Sequence, residues 1–222
     1  MNFAEYNVKD ANLEEILLAL KSLDTVEAVA LGGSRSTGAS EENSDYDIYV
    51  YCAEIPTAET RENLLEKYCS IAEFGNHYWE SEDNTVMNNG IPVDIIYREV
   101  DRFGRYIDTV IKGGKAFNGY TTAFWHNIKN SKVLFDKTGT FTKFRDMAQI
   151  DFPENLRSAI IKNNRNLLNG KLPSYDRQIK KAQERGDIVS VNHRITAFLE
   201  SYFDVIFALN PVSYTHLTLP TN

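Results

Sequence analysis

The feature that most restricts this chain is a pair of short apolar segments, VEAVAL at residues 26–31 and DIYVY at 47–51, held apart by the polar stretch GGSRSTGASEENS. Runs of this length, rich in β-branched and aromatic residues, suit buried strands better than amphipathic helices. The connection between them is too long for a tight hairpin. A polar loop of that kind, dense in turn-forming residues, is where function is commonly carried.

Helical patterns surround this centre. In DANLEEILLALKSL, residues 10–23, Leu13, Ile16, Leu17, Leu20 and Leu23 share one stripe, with Asp10 or Asn12 available as a cap. The spacing predicts another helix over TAETRENLLEKYCSIAE, 57–73, and one over 100–112. Segments around TVM and IPVDIIY read as a strand pair joined through Asn88, Asn89 and Gly90. GGKAFNGY reads as loop, and KVLFD at 132–136 as a short strand whose place in the sheet the pattern leaves open. From Pro153 onward three helical patterns follow one another. The expected class is α+β: a small mixed β-sheet flanked by helices over 1–150, then a C-terminal helical unit over 151–210. The last twelve residues, PVSYTHLTLPTN, break the pattern and look like translated cloning or adaptor sequence. Residues 211–222 are therefore expected to be a non-native tail, with the helical domain incomplete.

Charge narrows the partners. Lys and Arg number 24 against 31 Asp and Glu, a net charge of −7, which disfavours a large nucleic-acid interface and favours a small acceptor, a cationic one above all. No apolar run approaches the roughly 20 residues of a membrane span, and Met1–Lys9 lacks a secretory pattern, so a cytoplasmic protein is expected. Cys52 and Cys69 read as reduced, buried thiols. His77, His126, His193 and His216 have no zinc-like spacing, and nothing supports a covalent nucleophile. Trp79 and Trp125 read as core aromatics. The Lys and Arg residues of the helical unit, Lys162, Arg165 and Lys171 among them, read as solvated helix faces.

Three carboxylates and a glycine turn remain. Side chains two apart in a strand share a face, so Asp45 and Asp47 would project together while Tyr46 turns away. Such a pair can hold a hard cation such as Mg²⁺, or be a solvated strand end. Gly32 and Gly33, at the end of a buried strand, let the backbone approach a phosphate, and the Ser34 hydroxyl and loop amides can donate to it; the other reading is a structural turn. Order and spacing favour the chemical reading, since the succession of strand, Gly-Gly-Ser, polar loop and Asp-x-Asp is far rarer than either half. Asp94 interrupts the apolar run IPVDIIY, where an unpaired charge would be costly. Metal in a shared site, a salt bridge to Arg98 or another base, or a solvated strand end would each compensate it.

The segment LGGSRSTGASEENSDYDIYV, with Asp94 after it, resembles the signature of the DNA polymerase beta-like nucleotidyltransferase superfamily. Within it the chain looks most like bacterial small-molecule enzymes of the aminoglycoside nucleotidyltransferase sort. The resemblance implies that Gly33 and Ser34, with Gly32 and Ser44, bind nucleotide and that Asp45 and Asp47 bind Mg²⁺. Asp94 would be a third ligand, the general base, or both, around two metal ions. The implied reaction moves a nucleoside monophosphate from a triphosphate, ATP being expected, to a hydroxyl of a small acceptor, releasing pyrophosphate. The alternative is an antitoxin-like or regulatory nucleotide-binding protein acting on a protein partner.

Overall fold

A computed structural model describes residues 8–38 and 44–210. The first seven residues, positions 39–43 of the polar loop and the tail over 211–222 lie outside the described residues. In chain order the elements are α1 (Ala11–Ser22), β1 (Val26–Leu31), α2 (Gly33–Thr37), β2 (Tyr46–Cys52), α3 (Ala58–Leu65), a 3₁₀ turn (Glu66–Tyr68), β3 (Cys69–Asn76), β4 (Ser81–Met87), β5 (Pro92–Glu99), α4 (Val100–Ile111), α5 (Ala123–Asn130), β6 (Lys132–Asp136), α6 (Thr140–Ala148), α7 (Glu154–Asn169), α8 (Tyr175–Glu184) and α9 (Ile188–Leu209). The α+β class holds: one mixed sheet with flanking helices, then C-terminal helices.

The six strands run in the order β3-β4-β5-β2-β1-β6. Only β2 and β5 pair in parallel; the other neighbours are antiparallel. KVLFD finds its place as the edge strand beside β1. α1 starts where Asp10 accepts from the amides of Asn12 and Leu13, as an N-cap does. Its Leu13, Ile16 and Leu20 are fully buried with Val29, Leu31, Ile48, Val50 and Ile95, about 1.5–3 kcal/mol for each such side chain. The β4–β5 turn is tied to the same cap, because Asn89 donates to both carboxylate oxygens of Asp10. On the opposite sheet face Tyr51 meets Phe103, Phe141 and Phe144 edge-on or tilted, with centroids 5.3–5.9 Å apart.

The helix expected over 57–73 is corrected. It ends at Leu65, and Cys69–Asn76 is strand. Backbone pairing with β4 decides this, from Cys69 opposite Met87 to Asn76 opposite Glu82. A buried ion pair braces the junction. Arg61 of α3 lies 3.2 Å from Asp83 of β4, both almost without solvent, and Asp83 also accepts from the Gly75 amide.

The chain divides into two compact units, one formed by the residues up to Arg105 with Asn127–Met147, the other by Tyr106–His126 with the chain from Ala148 onward. The second is helical and has a polar knot in its interior. Asp204 of α9 accepts from the Thr121 amide and hydroxyl at 3.1 and 2.6 Å and from Asn164 of α7 at 3.1 Å. Asn163 and Asn164 also donate to the Phe117 carbonyl, so the segment before α5 is tied to α7 and α9. Among the described residues no helix is long and apolar enough to cross a membrane.

Candidate active site

The glycine turn is the hinge of the site. β1 runs out at Leu31, opposite Ile48, and the Gly32 amide extends the ladder by donating to the Asp47 carbonyl at 2.8 Å. Gly33 then takes φ +60, which side-chain-bearing residues rarely adopt. A Cβ there would lie 1.7 Å from Asp47 Oδ2, and one on Gly32 would lie 2.3 Å from the Tyr49 ring. Both glycines are thus required by close approach, and the hollow over Gly33 holds the Asp47 carboxylate. The turn opens α2, whose first residues have no side-chain cap. Ser34 sits in that turn half-buried, and its hydroxyl makes no hydrogen bond among the described residues.

Asp47 and Asp94 stand directly opposite each other on the parallel pair β2 and β5. The alternation that buries Tyr46, Ile48, Val93 and Ile95 in the core turns both carboxylates to the other sheet face, half-buried. Asp94 is not bridged to Arg98. It accepts from Asn84 Nδ2 at 2.9 Å, and Asn84 in turn accepts from Asn76 at 2.7 Å. Asp45 is exposed, two residues before Asp47 and just ahead of β2. Ser44 and Asp45 are held by Arg35 of α2: Nε donates to their carbonyls at 2.8 and 3.0 Å, Nη2 also reaches the Ser44 carbonyl, and the guanidinium lies 4.0 Å from the centre of the Tyr46 ring. Both flanks of the polar loop are fastened by that one side chain.

A second layer lies under the turn. Arg98, on the same β5 face as Asp94, is buried and makes a forked pair with Glu80 at 2.8 and 2.7 Å, with further bonds to Tyr51 and Asn127. Burial alone would lower its pKa, but Tyr51 and Glu80 hold it above the ordinary range. Its guanidinium covers the Tyr49 ring at 4.2 Å, and Tyr49 is the ring that faces Gly32. Burial pushes the Tyr49 hydroxyl up to about 12, against the pull of Arg98 and helped by Asp47, so it is a neutral phenol at physiological pH. Glu82 lies near Asp94; burial raises its carboxyl, and repulsion from Asp94 and Glu80 adds to the shift.

Among the described residues no three Asp, Glu, His or Cys side chains are gathered into a group able to hold a metal ion. Asp47 and Asp94 are brought into register, and Asp45 is not clustered with them. Mg²⁺ does not require a protein cage; it is commonly held by one or two carboxylates together with substrate phosphates and water. Hard carboxylate oxygens in register on adjoining strands fit that mode.

Residues 14–115 match the family described as polymerase beta, nucleotidyltransferase, and residues 122–216 match a domain of unknown function, DUF4037. No curated protein matches the chain. Among solved structures it is similar to a nucleotidyltransferase-like protein from Exiguobacterium sibiricum, at 10% identity and TM-score 0.45 over 93% of this chain and 59% of that one. A spectinomycin adenyltransferase from Enterococcus faecialis, solved with ATP and spectinomycin, is 14% identical, with TM-score 0.38 over 87% and 88%. A toxin-antitoxin structure with AMP-PNP is 15% identical, with TM-score 0.38 over 70% and 94%.

What the sequence reading missed is the support around the carboxylates: Arg35, Asn84, the Glu80–Arg98 fork and Glu82. The polar positions of SEDNTVM were the available signal for Glu82 and Asn84, but only the β4–β5 register puts Asn84 opposite Asp94. Trp79, expected in the core, is 92% exposed, whereas Trp125 is buried and donates to the Ala148 carbonyl at 2.8 Å. Tyr78, beside Trp79 at the β3–β4 turn, is exposed as well. Cys52 and Cys69 are free thiols.

Proposed function

We propose that the chain is a Mg²⁺-dependent enzyme that transfers a nucleoside monophosphate from ATP to a hydroxyl of a small acceptor and releases pyrophosphate. The observation that carries this reading is the in-register Asp47–Asp94 pair, with the Asp47 carboxylate seated directly against the glycine turn. In the proposed reaction the Gly32–Ser34 turn and Ser44 hold the triphosphate, through backbone amides and the Ser34 hydroxyl. Asp47 and Asp94, with Asp45, would hold Mg²⁺, two ions being the expected number, and bound metal would supply neutralisation of charge on the transferred phosphoryl group. Asp94 would also accept the acceptor hydroxyl's proton, and the hydrogen bond from Asn84 supports this reading by orienting its carboxylate. Arg98 and Arg35 act as positioning residues, the first through Tyr49 and the second through the backbone of Ser44 and Asp45. The cleft's carboxylates, Glu82 included, favour a cationic acceptor.

The test is incubation with ATP labelled at the α-phosphate, Mg²⁺ and a panel of hydroxylated amines and proteins, followed by mass spectrometry. A mass gain of one adenylate on a small acceptor, lost in Asp47→Asn, is the expected result. Several kcal/mol of charge stabilisation at stake corresponds to a fall in turnover of about a hundredfold or more. Turnover unchanged from wild type in both Asp47→Asn and Asp94→Asn would sink the mechanism, and labelling of a protein alone would favour the antitoxin-like reading.

A further inference from the structure

α7 carries an unusual charge pattern for a chain with a net charge of −7. Its one acid, Glu154, pairs with Arg157 at 3.4 Å, and no Asp or Glu follows until Asp176. Over the same stretch stand Lys162, Arg165 and Lys171. A solvated helix face ordinarily mixes both signs at i±3 and i±4 spacing, where they support the helix. Here the three cations make no ion pair or hydrogen bond among the described residues.

These cations share a concave surface. A groove of about 560 Å³ is lined by Lys162, Arg165, Asn166, Asn169 and Lys171, with Ser158 at its end, and among the described residues no acidic one borders it. Asn166 and Asn169 are poor helix formers whose side-chain amides make no hydrogen bond among the described residues, unlike Asn163 and Asn164 on the same helix. Among the described residues the groove thus presents three positive charges with amide and hydroxyl donors and no competing carboxylate. It is an open groove along one face of α7 and its end, with Lys162, Arg165 and Lys171 exposed. Among the described residues no aromatic ring lines it, and so none of them offers a platform on which a base could stack.

We propose that this groove in the second unit binds a small molecule carrying two or more phosphate groups. Arg165 presents a planar fork suited to one phosphate, and Lys162 and Lys171 act as point charges on the others. The assignment is independent of the proposed nucleotidyl transfer, since it uses no residue of the glycine turn or the carboxylates.

Isothermal titration of the full chain with tripolyphosphate, in EDTA and low salt, tests it. One saturable site is expected, weakened roughly tenfold or more by Arg165→Glu or Lys162→Glu through loss and reversal of a charge-assisted contact. Lys171→Glu, beyond the helix end, checks the result where α7 itself is untouched. Asp47→Asn should leave the affinity unchanged, which separates this groove from the glycine turn, and citrate should bind far more weakly. Absence of saturable binding, indifference to all three charge reversals, equal affinity for citrate, or binding of an oligonucleotide with none of tripolyphosphate would each overturn the proposal.

Discussion

At the scale of single residues, the site depends on atoms that are missing from two glycines. Gly33→Ala would add a methyl group onto Asp47 Oδ2 at a residue with φ +60. The substitution is expected to cost about 1–3 kcal/mol in backbone strain and to displace the carboxylate. Nucleotidyl transfer should then fall to near the level of Asp47→Asn while far-ultraviolet circular dichroism stays native; retained activity would show that Asp47 need not lie against the turn. Cys52 offers a check on burial in the same strand. Burial raises its thiol to about 12, with Arg61 opposing and Glu27 adding, so the thiolate is scarce at pH 8. Iodoacetamide should label Cys69, which is less enclosed, before Cys52, and Cys52 only on unfolding, as read by peptide mass spectrometry. The glycines and Asp47 were legible in the sequence because each is a local signal: a flexible turn, or a charge in an apolar run. Arg35 and the Glu80–Arg98 fork were not, because what those charges meet is set by pairing between distant segments.

At the scale of elements, β3 shows where local pattern yields to tertiary structure. LLEKYCSIAEF satisfies a helical stripe through Leu64, Leu65 and Tyr68, and it also alternates from Cys69 onward. Pairing with β4 selects the second reading, leaves Ile71 exposed and turns Phe74 toward the core. The Arg61–Asp83 pair then fastens this hairpin to α3. Burial raises the Asp83 carboxyl, while the Gly75 amide and Arg61 pull it back, so the charge depends on its partners. Asp83→Ala would leave Arg61 as a buried, uncompensated cation, and a loss of about 3–5 kcal/mol is expected. The joint replacement Arg61→Met with Asp83→Leu should recover much of that loss. Urea denaturation distinguishes the cases; a single variant as stable as wild type would mean the pair contributes nothing to docking the hairpin.

At the scale of the whole molecule, the reading from sequence placed a boundary near residue 150, whereas the compact units interleave, Tyr106–His126 grouping with the chain from Ala148 onward. The sequence pattern held no sign that Tyr106–His126 would join the helical unit. Its reasons are long-range: Tyr106 stacks on Phe117 at 5.5 Å and meets Phe124 edge-on, and the Phe117 carbonyl is held by α7. Asp204 is central to that unit, and its carboxyl is raised by burial although bonds from Thr121 and Asn164 oppose the shift. Below the unfolded pKa both states are protonated and the group makes no pH-dependent contribution. As pH rises from the ordinary aspartate range through the raised folded value, the unfolded chain ionises first, and the fold loses stability relative to it. Asp204→Asn removes this titration. The stability of wild type minus that of Asp204→Asn should therefore decline with rising pH across that window and level off above it. Asp204→Ala, which strands the Thr121 and Asn164 donors, should cost about 2 kcal/mol or more at every pH. Chemical denaturation of the three proteins from mildly acidic to neutral pH measures both effects. A wild-type advantage that grew with pH would mean that its bonds hold the carboxylate below, not above, its unfolded pKa, and that the knot is an anion site rather than a buried acid.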